Sequence, residues 1–258
     1  MSTTTTAVSG LRADENWLSG ISQNVANANT TGFKTTSTHF DSLVDQIGQS
    51  SGVGVNTSSY SAANSQGGVV SSSSATNLAV QGNGFFVVTD AGGNTYLTRD
   101  GSFSPDASGN LVNASGYYLM GSGVGGGGLT TVNVGQPGSG GSSVADVTVA
   151  SNGVLSFGYS NGLTIPAYSL PLANVASPDS MTAVSGTAFM PNASSGQAQI
   201  GLAGVNGLGT ISASSLESST TNMTSALSSL LQAQTGYQFN SQAWQAGDKI
   251  VSDLNNNL

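Results

Sequence analysis

Residues 216–258 read LESSTTNMTSALSSLLQAQTGYQFNSQAWQAGDKIVSDLNNNL, and an apolar side chain returns at every seventh position: Leu216, Met223, Leu230, Tyr237, Trp244, Val251 and Leu258. A strict seven-residue repeat predicts a long helix that supercoils about a partner. The companion positions are mixed. Ala226, Leu227, Ala233 and Leu254 extend the stripe, whereas Gln234, Asn240, Ser241, Gly247 and Asp248 interrupt it with small or polar groups. A repeat does not identify its partner, so an amphipathic helix lying on its own globular domain satisfies the same pattern.

The other end of the chain offers a partner. From Thr5 to Asn29 there is no proline, and Val8, Leu11, Leu18, Ile21 and Val25 recur at spacings of three, four and seven. Positions 8, 11, 15, 18, 22 and 25 alternate in steps of three and four, with Glu15 and Ser22 as polar breaks, which predicts a second seam-forming helix. Asn27, Asn29 and Gly32 read as its stop, because Asn and Gly tolerate the left-handed conformation that ends helices.

Between the ends the period changes to two. Gln81-Gly-Asn-Gly84 leads into Phe85-Phe-Val-Val-Thr89, and Asp90-Ala-Gly-Gly-Asn94 precedes Thr95-Tyr-Leu-Thr98, which predicts a hairpin. Turns follow at Asp106 to Asn110 and at Asn152-Gly153, beside short strands at Leu111 to Val112, Val147 to Val149 and Val154 to Phe157. Gly121 to Gly128 and Gly135 to Ser143 are rich enough in Gly and Ser to predict flexible loops. The expected fold is α+β. Long helices within 1–33 and 211–258 pack as a coiled coil, and a β-rich middle domain spans 34–210, with Gly-rich loops near 121–143.

Composition narrows the function classes. Only 6% of the 258 residues are charged, against about 25% in an ordinary globular protein, and four Lys and Arg face twelve Asp and Glu for a net charge of -8. No cationic surface is available to neutralise phosphates, which excludes nucleic acid as a partner and disfavours anionic lipid. No apolar run is long enough to span a bilayer, so membrane insertion is not expected. With no cysteine, neither disulfide bonds nor thiolate metal sites contribute. The first ten residues carry neither the basic region nor the apolar stretch of a cleaved secretory signal, so composition alone points to the cytoplasm.

Catalytic chemistry is hard to assemble from these residues. His39 is the one histidine, and it stands beside Phe40 and Asp41 without the partners a nucleophilic or zinc site requires. Asp90 to Asn94 and Asp106 to Asn110 resemble fragments of calcium loops, but neither ends in the bidentate glutamate, and plain turns account for them. Gly82-Asn-Gly84 enters a strand and not a helix, which is wrong for a phosphate loop. The triplets Asn56-Thr-Ser58 and Asn192-Ala-Ser194 arise easily in a chain rich in Ser and Thr. The expectation is a structural protein with no enzymatic activity and no cofactor.

Three segments resemble the flagellar axial proteins that build the bacterial rod and hook. Val8-Ser-Gly-Leu11 with Ile21-Ser-Gln-Asn-Val-Ala-Asn-Ala-Asn-Thr-Thr-Gly-Phe-Lys34 looks like their N-terminal signature, of which Asn24, Asn27, Gly32 and Phe33 are the marked positions. Leu78 to Phe86, Tyr96 to Phe103 and Gly109 to Val112 are similar to their G-x-G-F-F, Y-T-R-x-G-x-F and G-x-L-V elements. Leu231-Gln-Ala-Gln-Thr-Gly-Tyr237 resembles their C-terminal A-Q-x-x-Y region.

The resemblance implies subunits stacked helically into a tube, with terminal helices inside and the β-domain outside. It also implies unfolded export through the flagellar type III apparatus and localisation in the basal body and hook. The implied partners are further copies of the chain, neighbouring rod, hook and junction proteins, and export and capping factors. Val8, Leu11, Leu18, Ile21 and Val25 would then pack with Leu216, Met223, Leu227, Leu230, Tyr237, Trp244, Val251 and Leu254. In that frame Asn27 and Asn29 cap the helix, Gly32 permits a change of direction and Phe33 anchors the departing chain. Length and a single β-domain are similar to a distal rod subunit, whereas the short passage from Phe40-Asp-Ser-Leu43 to Gly52-Val-Gly-Val55 looks like the hook form. The hook is the expected position, because outer domains are readily gained or lost at loops. A secreted β-rich adhesin would share the composition without the Asn24 to Lys34 signature.

Overall fold

In a computed structural model the described residues are 2–43, 54–134, 144–159 and 162–256. They form two compact units, one of residues 1–28, 35–61 and 221–258, the other of residues 29–34 and 62–220. The boundaries differ from the expected 1–33, 34–210 and 211–258, because the first hairpin packs with the helices.

The first unit contains helix α1 (Ser2–Ala26), an antiparallel hairpin of strands β1 (Thr36–Leu43) and β2 (Gly54–Ser61), and helix α2 (Met223–Asn256). Asn222 starts α2: its Oδ1 accepts from Ser225 N at 3.1 Å, and its carbonyl accepts the first helical bond from Ala226 N at 2.9 Å. At the end of α1, Asn27 donates to the Gln23 carbonyl twice, from its backbone N at 3.1 Å and from its Nδ2 at 2.9 Å, which closes the last turn.

One heptad position is not helical. Leu216 lies in the strand Ser215–Glu217, paired opposite Val70 of Val69–Ser71. Ser218 to Asn222 separate it from α2, and their short polar side chains compete with helical backbone bonds, so the seven-residue spacing from Leu216 to Met223 is coincidental. Leu254 falls inside α2, and Leu258 lies outside the described residues.

The second unit is β-rich. Its central strand, Phe85–Thr89, pairs with Thr95–Thr98 as the expected hairpin and also with Tyr118–Gly123 and Pro171–Asn174. The continuous apolar run at Phe85 to Val88 is explained by burial on both faces. Phe86 and Val88 join Leu78, Phe103, Leu119 and Leu172 in one cluster, while Phe85 and Val87 join Leu97, Val175 and Phe189 in another. Each fully buried Phe or Leu of this kind contributes about 1.5–3 kcal/mol.

The expected loop Gly121 to Gly128 is partly strand. Gly121 to Gly123 complete Tyr118–Gly123, which turns back at residues 124–128 to pair with Leu129–Thr131. Gly121 is glycine for a local reason, since a Cβ there would stand 2.8 Å from Val132 Cγ2. Gly135 to Ser143 lies outside the described residues.

The acidic turns are closed by their own side chains. Asp90 Oδ1 accepts from Asn94 N at 2.9 Å, and Asp106 Oδ1 accepts from Ser108 N at 2.8 Å and Asn110 N at 2.9 Å. Both carboxyls are held below their ordinary range, Asp90 chiefly by the Asn94 side-chain amide and Asp106 chiefly by the Asn110 backbone N–H. They behave as turn formers.

Candidate functional site

Two features stand out, one in each unit. In the helical unit α1 and α2 pack side by side and antiparallel: Gly10 and Asp14 face Asn240, Asp14 also approaches Gly236, and residues from Thr4 to Arg12 border Trp244. The contact runs through small and polar residues. In α1 the buried positions Ala7, Asp14 and Ile21 lie seven apart, and in α2 they are Ala226, Ala233 and Gly247, whereas the buried Gly20 and Asn24 of α1 face Thr36 and Thr38 of β1. A Cβ on Gly10 would lie 2.7 Å from Asn240 Nδ2, so the Asn240 side-chain amide packs directly on the α1 backbone there. Asn240 Nδ2 donates to the buried Asp14 Oδ2 at 2.8 Å, a polar pair inside the seam of the sort that fixes register.

This seam is offset from the expected one. Ile21 is buried, but Val8, Leu11, Leu18, Val25 and Leu230 are half-buried, and Leu216 is half-buried in its strand. Met223, Leu227, Tyr237, Trp244 and Val251 are exposed, Trp244 at 41% and Val251 at 52%. The side chain of Leu254 lies outside the description. Small residues occupy the intrachain seam because they permit close approach, which displaces the large side chains of the same heptad to the flanks. Leu231, Phe239 and Ile250 add exposed apolar area on other sides of α2. A helix apolar on several sides is built to be covered.

Asn24 does more than end a helix. Its Nδ2 donates to the Thr36 carbonyl at 2.7 Å and its Oδ1 accepts from Thr36 N at 2.8 Å, a two-bond clamp on the start of β1. Beside the hairpin, Trp17 meets Phe40 edge-on with ring centroids 5.5 Å apart, and the exposed His39 ring lies 5.6 Å from that of Tyr60.

In the β-rich unit the signature continues into a buried ion cluster that sequence reasoning missed. Glu217 is fully buried and accepts from two cations: Lys34 Nζ at 2.6 Å on Oε1 and Arg99 Nη1 at 3.2 Å on Oε2. Gly67 N donates to the same Oε1 at 2.8 Å, Lys34 also reaches the Ser65 carbonyl, and Arg99 Nη2 donates to the Gly82 carbonyl at 2.7 Å. The guanidinium carbon lies 5.0 Å from the Phe85 ring centroid, a cation–π contact. Burial pushes the Lys34 ammonium below its ordinary 10.5, against the opposing pull of Glu217, and burial likewise lowers Arg99.

Backbone bonds fasten the same place. Gly32 N donates to the Glu217 carbonyl at 2.8 Å and Thr220 N to the Phe33 carbonyl at 3.1 Å, so the segment after α1 and the segment before α2 are joined. Gly32 has φ +67, and a Cβ on it would lie 2.4 Å from Asp100 N. Phe33 beside it is buried. The available signal for the cluster was scarcity: in a chain with so few charges, Lys34, Arg99 and Glu217 all fall inside or beside recognisable segments.

Neither feature assembles a nucleophile with a base, and among the described residues no group of three or more His, Asp or Glu could hold a metal ion. No helix among them is long and apolar enough to cross a membrane.

Three family models match the chain: Flagella basal body rod protein over residues 5–34, Flagellar hook protein FlgE/F/G D1 domain over 79–157, and Flagellar basal body rod FlgEFG protein C-terminal over 212–257. The flagellar hook protein FlgE of Brucella abortus is 30% identical in an alignment that covers 97% of each chain. That of Rhizobium meliloti is 44% identical over 159 residues, 61% of this chain and 38% of that one. The flagellar basal-body rod protein FlgG of Agrobacterium fabrum is 26% identical, with 98% of this chain and 97% of that one aligned. Matched at both terminal helices and across much of the β-rich unit, the chain belongs to the flagellar hook and basal-body rod protein family.

Proposed function

We infer that this chain is a structural, non-enzymatic subunit of the bacterial flagellar hook that polymerises with copies of itself into a tube transmitting torque. The observation that carries the reading is the apolar surface of α2: Leu227, Leu231, Phe239, Ile250 and Val251 stay exposed within the folded unit, and a helix of this kind is stable in water only when neighbours cover it. The hook position rests on the Brucella relative, aligned over almost the whole of both chains. In the polymer α1 and α2 form a coiled coil extended by neighbouring copies. The subunit leaves the cell through the flagellar export apparatus and adds beneath a cap, meeting rod and junction proteins at its ends.

A distal rod subunit is the second reading, favoured by the full-length alignment with FlgG. Electron microscopy of basal bodies from cells lacking the chain separates the two. A complete rod without a hook supports the hook position, a truncated rod supports the rod reading, and intact flagella refute both.

A further inference from the structure

Of the four Lys and Arg residues, Lys34 and Arg99 are committed to Glu217, which leaves Arg12 and Lys249. Arg12 is exposed and has no hydrogen-bond or ion-pair partner among the described residues. It borders a cavity of about 690 Å³ in the helical unit, with Thr5, Val8 and Asn16 of α1, Val55 of β2 and Trp244 of α2. The groove is tied together across its elements: Asn16 Nδ2 donates to Thr57 Oγ1 at 2.8 Å, and Val55 N donates to Ser9 Oγ at 3.2 Å. Its walls are aliphatic groups, hydroxyls and amides around a single guanidinium. The complementary ligand is a carboxylate set on an apolar ridge.

The chain itself supplies one. Among the described acids outside the core, the half-buried Asp90 and Asp106 and the exposed Asp146 and Asp179 accept backbone N–H groups, and Glu15 and Asp41 belong to α1 and β1, the elements that carry the groove; Asp45 lies outside the described residues. Asp253 already has a partner. Asp248 has none among the described residues, and it lies four residues after Trp244 and three before Val251, on their side of α2. Within one copy the two side chains do not pair. Gly10 and Asp14 flank Arg12 and face Asn240, and Asp248 is eight residues further along α2, about 12 Å at 1.5 Å per residue.

We propose that the Arg12 groove receives the Asp248–Val251 edge of α2 from a second copy, with the Asp248 carboxylate on the Arg12 guanidinium and Val251 against the aliphatic wall. The proposal rests on the self-assembly reading above and names two of the surfaces that meet. Arg12 lies on α1 and the Asp248–Val251 edge on α2, so a contact that uses one of them on each copy is head-to-tail and leaves the other free to add a further copy.

The absence of cysteine makes the test clean. Two single-cysteine variants of the full chain, Arg12→Cys and Asp248→Cys, are mixed before assembly, and any disulfide joining them is necessarily between copies. Polymers should yield the mixed disulfide, and the pairing of Ala107→Cys with Arg12→Cys should not. In parallel, Arg12→Asp and Asp248→Arg should each raise the critical concentration for polymerisation about tenfold or more, and the double reversal should recover most of that loss. Polymers that form normally without the disulfide, and charge reversals that leave the critical concentration unchanged, overturn the proposal while leaving self-assembly intact. A wild-type chain that never polymerises overturns both.

Discussion

Replacing Glu217 by glutamine removes the one anion from a site that holds two cations out of water. Glutamine keeps the shape and one carbonyl oxygen, but Lys34 and Arg99 then repel each other with no carboxylate between them. Removing one partner of a buried ion pair costs about 3–5 kcal/mol, a large part of the roughly 5–15 kcal/mol that holds a domain folded. For a unit of this size the melting temperature should fall by roughly 6–20 °C. The site also has an alkaline signature. With Glu217 gone, the two influences that raise the Lys34 pKa disappear, while burial and Arg99, which lower it, remain. A lysine whose folded pKa lies below its unfolded 10.5 binds fewer protons when folded, so stability rises with pH through the window beneath 10.5. The Glu217→Gln deficit should therefore shrink between pH 7 and pH 10, because the stranded lysine can shed its proton. Urea unfolding followed by tryptophan-independent circular dichroism measures both effects, with Glu15→Gln as an exposed control expected to stay within about 0.5 kcal/mol of wild type. A loss under about 1 kcal/mol, or a deficit equal at both pH values, refutes the reasoning.

Gly32→Ala should destabilise the β-rich unit by more than about 2 kcal/mol, since φ +67 is strained for alanine and its Cβ meets Asp100 N at 2.4 Å; a neutral thermal shift would show that the segment relaxes freely. Ala233→Leu inserts a large side chain at a fully buried seam position and should cost about 1–3 kcal/mol while loosening α1 from α2, seen as faster hydrogen exchange in both helices; unchanged exchange there argues against the seam. Carbon chemical shifts should place the Asp90 and Asp106 carboxyl titrations below the ordinary 3.8, and both turns should weaken as pH falls through those midpoints, since groups with depressed folded pKa lose their contribution on protonation. Titration at or above 3.8 would mean that the side-chain turns open in solution.

Much of the architecture was legible because it depends on local periodicity. The run Phe85 to Val88, flanked by Gly84 and Asp90, admits few conformations other than a strand buried on both faces, and the proline-free stretch at Thr5 to Asn29 reads directly as a helix. Within one chain the seam on α1 runs one position from the apolar repeat, at Ala7, Asp14 and Ile21, while on α2 it uses the small members of the stripe, Ala226 and Ala233. Hydrophobic periodicity marks where large side chains recur, whereas this contact is built where large side chains are absent, at Ala7, Gly10, Ala226, Ala233 and Gly236. Leu216 failed for a related reason: spacing alone does not register that Ser218 to Asn222 end one element and cap the next. The ion cluster was illegible because its members are far apart in sequence, with Lys34 and Glu217 separated by 183 positions, and nothing local distinguishes a buried charge from a solvated one.

Charge scarcity gains a physical meaning from these placements. In a chain with many surface cations, losing one to the interior or to an interface would be unremarkable. Here Lys34 and Arg99 are both taken by the site that joins the segment after α1 to the segment before α2. The two halves of that joint are not equivalent: residues 215–217 bring Glu217 to Arg99, a cation already present in the body of the β-rich unit, whereas residues 29–34 bring Lys34, whose anion is Glu217. A buried charge without its partner costs several kcal/mol, so a state in which Lys34 is buried before Glu217 is in place is strongly disfavoured. The segment before α2 therefore docks before or together with the segment after α1, and the order is set by which charge already has a partner.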